Sequence, residues 1–84
     1  MIPFASLYPH LAWWVEFHGF IELGEQSYSH SLLRILDEGG MCFEDNTSKT
    51  LDDALAAGEA FLVADLPNRF LVRWNAETGG FEDI

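Results

Sequence analysis

Basic residues are scarce in this chain. Four Lys and Arg stand against 14 Asp and Glu, a net charge of -10 with a pI near 4.3. A nucleic-acid backbone is held by Lys and Arg, so this balance argues against direct nucleic-acid binding. Cysteine is nearly absent: Cys42 stands alone and cannot build an internal disulfide framework. That usage fits a reducing cytoplasm. Long apolar runs are missing too. No segment approaches the ~18 continuous apolar residues of a membrane span. Met1 to Ser6 lacks the basic start and apolar run of a signal peptide. We therefore expect a cytoplasmic protein that does not enter a membrane.

Chemical motifs are equally sparse. There is no C-x-x-C, no H-E-x-x-H and no closely spaced ligand pair. Glu44-Asp45-Asn46 lacks the spacing and closing Glu of an EF-hand loop. Gly39-Gly40 lacks the lysine and following helix of a P-loop. Hence no catalytic residue, metal or cofactor is assigned.

What is present is apolar bulk. Of the 84 residues, 49% are hydrophobic, too many for intrinsic disorder. The length allows one domain, 1–84. Residues 6–18 read as a helix, with Ser6 as N-cap and Pro9 in the first turn. Leu7, Leu11, Trp14, Val15 and His18 share one face, and Gly19 falls just past the C-cap. Residues 20–24 read as a strand and Gly24 to Ser27 as a turn. Residues 28–36 suit either a helix or a strand. The Asp37-Glu38-Gly39-Gly40 turn favours a hairpin with Met41 to Glu44.

The clearest element is a helix over 50–66. Thr50 is its N-cap, and Asp52 and Asp53 place negative charge at the positive end of its dipole. Leu51, Ala54, Leu55, Leu62 and Leu66 form its apolar stripe, with Phe61 at the edge. Gly58 interrupts the stripe, a loss of roughly 1 kcal/mol against Ala, and suits close approach to a sheet. Pro67 is expected to stop the helix. Phe70 to Trp74 has strand composition, Asn75 to Gly80 reads as a turn, and Phe81 to Ile84 as a poorly ordered tail.

The predicted fold class is α+β. A three- to four-stranded antiparallel meander (about 20–24, 30–36 and 41–45, with 70–74 as a possible extension) packs on helix 50–66, and helix 6–18 covers the sheet or its edge.

Few side chains stand out as chemistry. His18 and Glu22 flank the helix-to-strand corner, and with Cys42 they define a minor metal or catalytic alternative. The bland reading packs His18 at the helix end with one nitrogen satisfied and leaves Cys42 an inert buried thiol. His10 and His30 read as ordinary surface groups. Arg34, Arg69 and Arg73 read as partners of local carboxylates. The aromatics are the larger excess, 14% of the chain. Trp13 and Phe17 lie one turn apart, off the stripe of the first helix. Either the C-terminal segment Phe70 to Trp74 covers them or they are interface anchors, a role for which Trp and Phe are enriched. With Trp74 they are the candidate protein-interaction residues.

The run Trp14-Val15-Glu16, His18-Gly19-Phe20-Ile21-Glu22 and Gly24, then Leu36 to Met41, then Thr50 to Leu55 resembles a group of small acidic bacterial proteins of unassigned function. That likeness spans roughly residues 14 to 66 and implies no activity or cofactor. A second likeness is to the partial ribonuclease-H-like domain of HicB-type antitoxins, through a strand meander followed by a helix opening as Thr50 to Leu55 does. The Pro-rich turn and DNA-binding module of that family are missing here. The likeness therefore implies a meander packed on a helix rather than toxin neutralisation.

The expected function is a small acidic binding or regulatory protein that recognises another protein, with carboxylates steering toward a basic partner. A homodimer is another way to cover the sheet edges. One alternative is a nucleic-acid mimic that inhibits a basic nucleic-acid-binding protein, which needs an ordered carboxylate array. The other is the metal or catalytic domain built on His18, Glu22 and Cys42.

Overall fold

A computed structural model of the chain describes residues 3–24 and 31–84. The expected turn over 24–27 and His30 fall largely or wholly outside them. The architecture is α+β. Helices α1 (Phe4–Leu7) and α2 (Pro9–Phe17) lead into a meander of β1 (Phe20–Leu23), β2 (Leu33–Asp37) and β3 (Gly40–Asp45). Helix α3 (Leu51–Arg69) follows, then a hairpin of β4 (Val72–Asn75) and β5 (Gly80–Asp83). The meander is antiparallel with β2 in the centre, and β4–β5 is a separate two-stranded sheet.

The N-terminal helix is broken where one helix was expected. Its first turn begins at Phe4, with Pro3 rather than Ser6 at the N-cap. A residue before proline is disfavoured in the helical region, and Tyr8 accordingly sits at φ -133, ψ 66. Pro9 then starts α2 at N1, where its missing N–H costs nothing. The break detaches Leu7 from the stripe, and Leu7 and Val15 are exposed. Helix α2 buries His10, Leu11 and Trp14 instead.

Gly19 does follow the C-cap residue, His18. Its role is close approach rather than a left-handed turn, since its φ is not positive. A Cβ there would run into the carbonyl oxygen of Leu36 and come within 2.7 Å of Trp14 Nε1. That indole donates to the same carbonyl at 3.0 Å, pinning α2 to β2. The β2–β3 turn forms as expected. Gly40 takes φ 118, and Asp37 Oδ1 accepts from the Gly39 amide at 2.8 Å.

Strand β2 buries both faces. Leu33 and Ile35 enter the core with Leu11, Trp14, Ala54, Leu62 and Leu66. Arg34 points the other way and is also fully buried, which corrects the expectation of a weak exposed pair. Its cross-strand partners are Glu22 and Glu44. Nε donates to Glu22 at 3.0 Å, while the other nitrogens reach the carbonyls of Ser31 at 2.7 Å and Gly24 at 2.6 Å. A buried charge survives only when paired and hydrogen-bonded in this way. One side chain thus ties together the residues on either side of 25–30.

Helix α3 opens as expected, with the Thr50 hydroxyl accepting from the Asp53 amide at 3.2 Å. Gly58 faces Leu33, and a Cβ there would lie 2.9 Å from its Cδ2. The missing side chain lets the helix press onto β2. Leu51 is exposed despite its place in the pattern. Pro67 does not end the helix. Its ring interrupts the bond to the carbonyl of Val63, on the exposed side where water can replace it. Beyond it, Asp65 pairs with Arg69 and the Phe70 amide reaches Leu66 O at 2.9 Å, so the last turn closes.

The tail is ordered, against expectation. Asn75 caps the β4–β5 turn by accepting from the Glu77 amide at 2.9 Å, and Gly79 supplies φ 71. Phe81 pairs across from Trp74. Phe81, partly buried against α2, is the reason this strand forms. The short acidic sequence by itself gives little reason for it. No helix among the described residues is long and apolar enough to cross a membrane.

Candidate functional site: an aromatic groove

The groove begins with how α2 is anchored. Its N-cap residue, Tyr8, offers no side-chain cap. Pro9 has no amide hydrogen. Glu59, arriving from α3, accepts from the His10 amide at 3.0 Å and from the Leu11 amide at 2.9 Å. The Ala12 amide donates to Tyr8 O at 3.0 Å. All the donors of the first turn are therefore accounted for. The His10 ring is also bound, with Nδ1 at 2.5 Å from Glu59 Oε2. His10 is 7% exposed, so it is a buried structural group rather than the surface residue expected. Its pairing with a residue 49 positions away leaves no local trace in the sequence.

With α2 fixed at this end, the β4–β5 hairpin docks beside it. Phe81 is the wedge. Its ring lies 5.1 Å from His10, edge-on at 84°, and 6.0 Å from Trp13. Trp74 packs on the other side of Phe81 at 5.0 Å. Trp13 also meets Phe70 at 5.8 Å and Phe17 at 6.1 Å. The result is a chain of rings, Phe17, Trp13, Phe81 and Trp74, along one groove of about 490 Å³. Ala12 and Gly80 keep it open, and Glu16 is its charged lining residue.

All three residues singled out from sequence, Trp13, Phe17 and Trp74, line this groove. The structure divides their roles. Trp13 is half-buried under Phe70, as the covering alternative required of the 70–74 segment, and also under Phe81, which that alternative did not include. Phe17 is 70% exposed and, among the described rings, packs on Trp13 alone. Phe81 and Glu16 were not foreseen. The signal for Phe81 lay in the Asn75 to Gly80 turn joining two segments that each carry an aromatic.

A second, smaller depression of about 320 Å³ is lined by His18, Asp37, Glu38 and Gly39. His18 Nε2 lies 3.0 Å from Asp37 Oδ2, so one nitrogen is satisfied as expected. The His18 ring packs at 4.5 Å on both Trp14 and Phe70. The Asp37 carboxyl is held below the usual carboxylate range by His18, then by the Gly39 amide, with Cys42 contributing. Cys42 is partly exposed, less buried than expected. Glu22 does not join His18 and Cys42, because it is committed to Arg34. Among the described residues no three His, Cys, Asp or Glu side chains are grouped to hold a metal ion.

The carboxylates are spread over the molecule. Glu22, Asp65 and Glu82 pair with arginines on β1–β2, α3 and the hairpin respectively. Glu59 caps α2, Asp37 and Asp45 brace turns, and Asp52 and Asp53 open α3. No family model matches this chain, and no curated protein and no solved structure matches it.

Proposed function

We propose that this chain is a small, acidic, non-catalytic cytoplasmic module that recognises another protein through the groove between α2 and the β4–β5 hairpin. The observation that carries this reading is the convergence of Phe17, Trp13 and Trp74 on one open surface, with Phe17 70% exposed. A large aromatic left in water on a rigid helix has no role in the core. Aromatic anchors in a groove are the usual centre of binding energy at protein interfaces. The net charge of -10 favours a basic partner and raises its rate of encounter. The same charge repels a second copy, so the homodimer is the less favoured occupant.

The nucleic-acid-mimic reading draws little support from the acids. The acids with a partner among the described residues serve separate local duties on several elements rather than facing one way as an array. The test is differential capture. Tagged wild type, Phe17→Ala and Trp74→Ala are exposed to the same host lysate and compared by quantitative mass spectrometry. A protein enriched by wild type and lost with both variants, at unchanged melting temperature for Phe17→Ala, supports the reading. Equal recovery by all three refutes it. Sedimentation of the wild type as a dimer that Phe17→Ala dissociates would assign the groove to a second copy.

A further inference from the structure

We propose that the groove receives a cationic side chain of the partner, an arginine seated against the aromatic rings with Glu16 as its counter-charge. This deepens the protein-recognition reading and rests on it. Four observations point the same way. The groove wall is four aromatic rings in sequence, with neighbouring centroids 5.0 to 6.1 Å apart. Aromatic faces carry negative quadrupole charge and attract a guanidinium within about 6 Å of the centroid. The charged residue lining the groove, Glu16, is an acid with no ion-pair partner among the described residues.

The chain's own cations lie elsewhere. Arg34, Arg69 and Arg73 are bound to Glu22, Asp65 and Glu82, and Lys49 precedes α3. None of them lines the groove. Finally, the fold already uses this chemistry once. The Arg69 guanidinium carbon lies 5.1 Å from the Phe70 centroid and 6.0 Å from that of Trp14. A purely apolar occupant would leave Glu16 at the edge of a desolvated contact without a partner. An arginine satisfies the carboxylate and the ring faces together, because its planar head stacks as well as hydrogen-bonds.

The experiment is an NMR titration of the full chain, reading the three indole N–H signals. The probes are N-acetyl-arginine methylamide and its uncharged counterpart, N-acetyl-norleucine methylamide. Trp14 is the internal control, since its indole is buried and bonded to Leu36 O. The expected result is that the arginine probe shifts the Trp13 and Trp74 signals and leaves Trp14 unmoved. Phe17→Ala should weaken the arginine probe about three- to fivefold, the weight of one exposed cation–ring contact. Glu16→Gln should weaken it by up to about fivefold, as for an exposed ion pair. Both residues are exposed, so neither variant threatens the fold.

If the norleucine probe shifts Trp13 and Trp74 as strongly as the arginine probe, the cation proposal is overturned while the groove stays a docking site. Shifts that follow the acids over the whole surface, unaltered by either variant, also overturn it. If neither probe shifts Trp13 or Trp74, the cation proposal falls, and the protein-recognition reading is then decided separately by the differential capture.

Discussion

Glu59 is the residue on which the groove's geometry most depends, and its removal has a calculable cost. The side chain is only 15% exposed and accepts from two backbone amides and the His10 ring. A hydrogen bond to a charged group contributes about 1.5–3 kcal/mol. Loss of an ordinary helix N-cap costs about 0.5–2 kcal/mol. Glu59→Ala removes the cap and strands the two amides where water enters only in part. We expect a loss of about 2–3 kcal/mol. For a domain of this size that lowers the melting temperature by roughly 10–20 °C.

Two controls separate the contributions. Glu59→Gln keeps one acceptor oxygen without the charge and should cost about 1–2 kcal/mol. His10→Phe keeps the edge-on contact with Phe81 and both backbone donors, losing the ring bond alone, for about 1.5 kcal/mol, the low end for a bond to a charged group. Urea unfolding, followed by tryptophan fluorescence and circular dichroism, measures all three. A Glu59→Ala loss below about 0.5 kcal/mol would refute the capping argument, being the size of an ordinary surface change. A His10→Phe loss equal to that of Glu59→Ala would show that the ring, not the amides, carries the effect.

Other perturbations follow from the same structure. Gly19→Ala should cost about 2–3 kcal/mol in urea unfolding, because its Cβ meets a backbone carbonyl that cannot yield and displaces the Trp14 indole from it; Gly39→Ala, facing only the Asp37 carboxylate at 3.3 Å, is the mild comparison. Trp13→Ala should destabilise by about 2 kcal/mol, less than the 3–5 of a fully buried aromatic, whereas Phe17→Ala should stay within about 0.5 kcal/mol. Equal losses from the two would remove the distinction between core and docking residue. The carboxyls of Asp37, Asp45 and Glu82 are held below the usual range, by His18, by Ser48 and by Arg73 respectively as the largest cause. Their folded pKa values are depressed, so their stabilisation is present above about pH 4, the unfolded value, and is lost as pH falls through the folded values. The urea midpoint should therefore fall with acid below about pH 4, and Asp45→Asn should flatten that fall. A profile that Asp45→Asn leaves unchanged would refute its part in it.

Much of the meander and of α3 was legible because their signals are local. Gly39-Gly40 follows Asp37, and Thr50 stands three residues before Asp53, so turn and cap are read within one short window. The readings that failed depend on distant partners. Nothing beside Arg34 in the chain announces that Glu22 and Glu44 will flank it across two strands. Nothing near His10 announces Glu59. Pro67 was read by its intrinsic effect, but Leu66 is held in the core from the other side and carries the helix through it. The groove was half legible. Trp13 and Phe17 were visible as aromatics off the buried face of a helix, while the wall opposite them depends on the tail pairing with itself.

That wall bears on how the site works. A two-stranded hairpin is marginal alone in water. Here, among the described residues, β4–β5 is hydrogen-bonded to no third strand. Its attachment rests on the Phe81 wedge against His10 and Trp13 and on Val72, buried on the side of α3, while the Ile84 amide donating to Leu71 O at 2.8 Å only closes the open end of the hairpin itself. Leu71 itself is held at φ 55, a conformation that costs a non-glycine residue about 1–2 kcal/mol. The hairpin is therefore the weakly held half of the groove, and α2, pinned by Glu59 and by Trp14, is the rigid half. A partner seated across both halves binds the docked hairpin and not the detached one, so it stabilises the folded chain by mass action. Hydrogen exchange in β4 and β5 should accordingly slow on binding far more than exchange in β2. Protection confined to α2 would place the partner on Phe17 alone and leave Trp74 out of the contact.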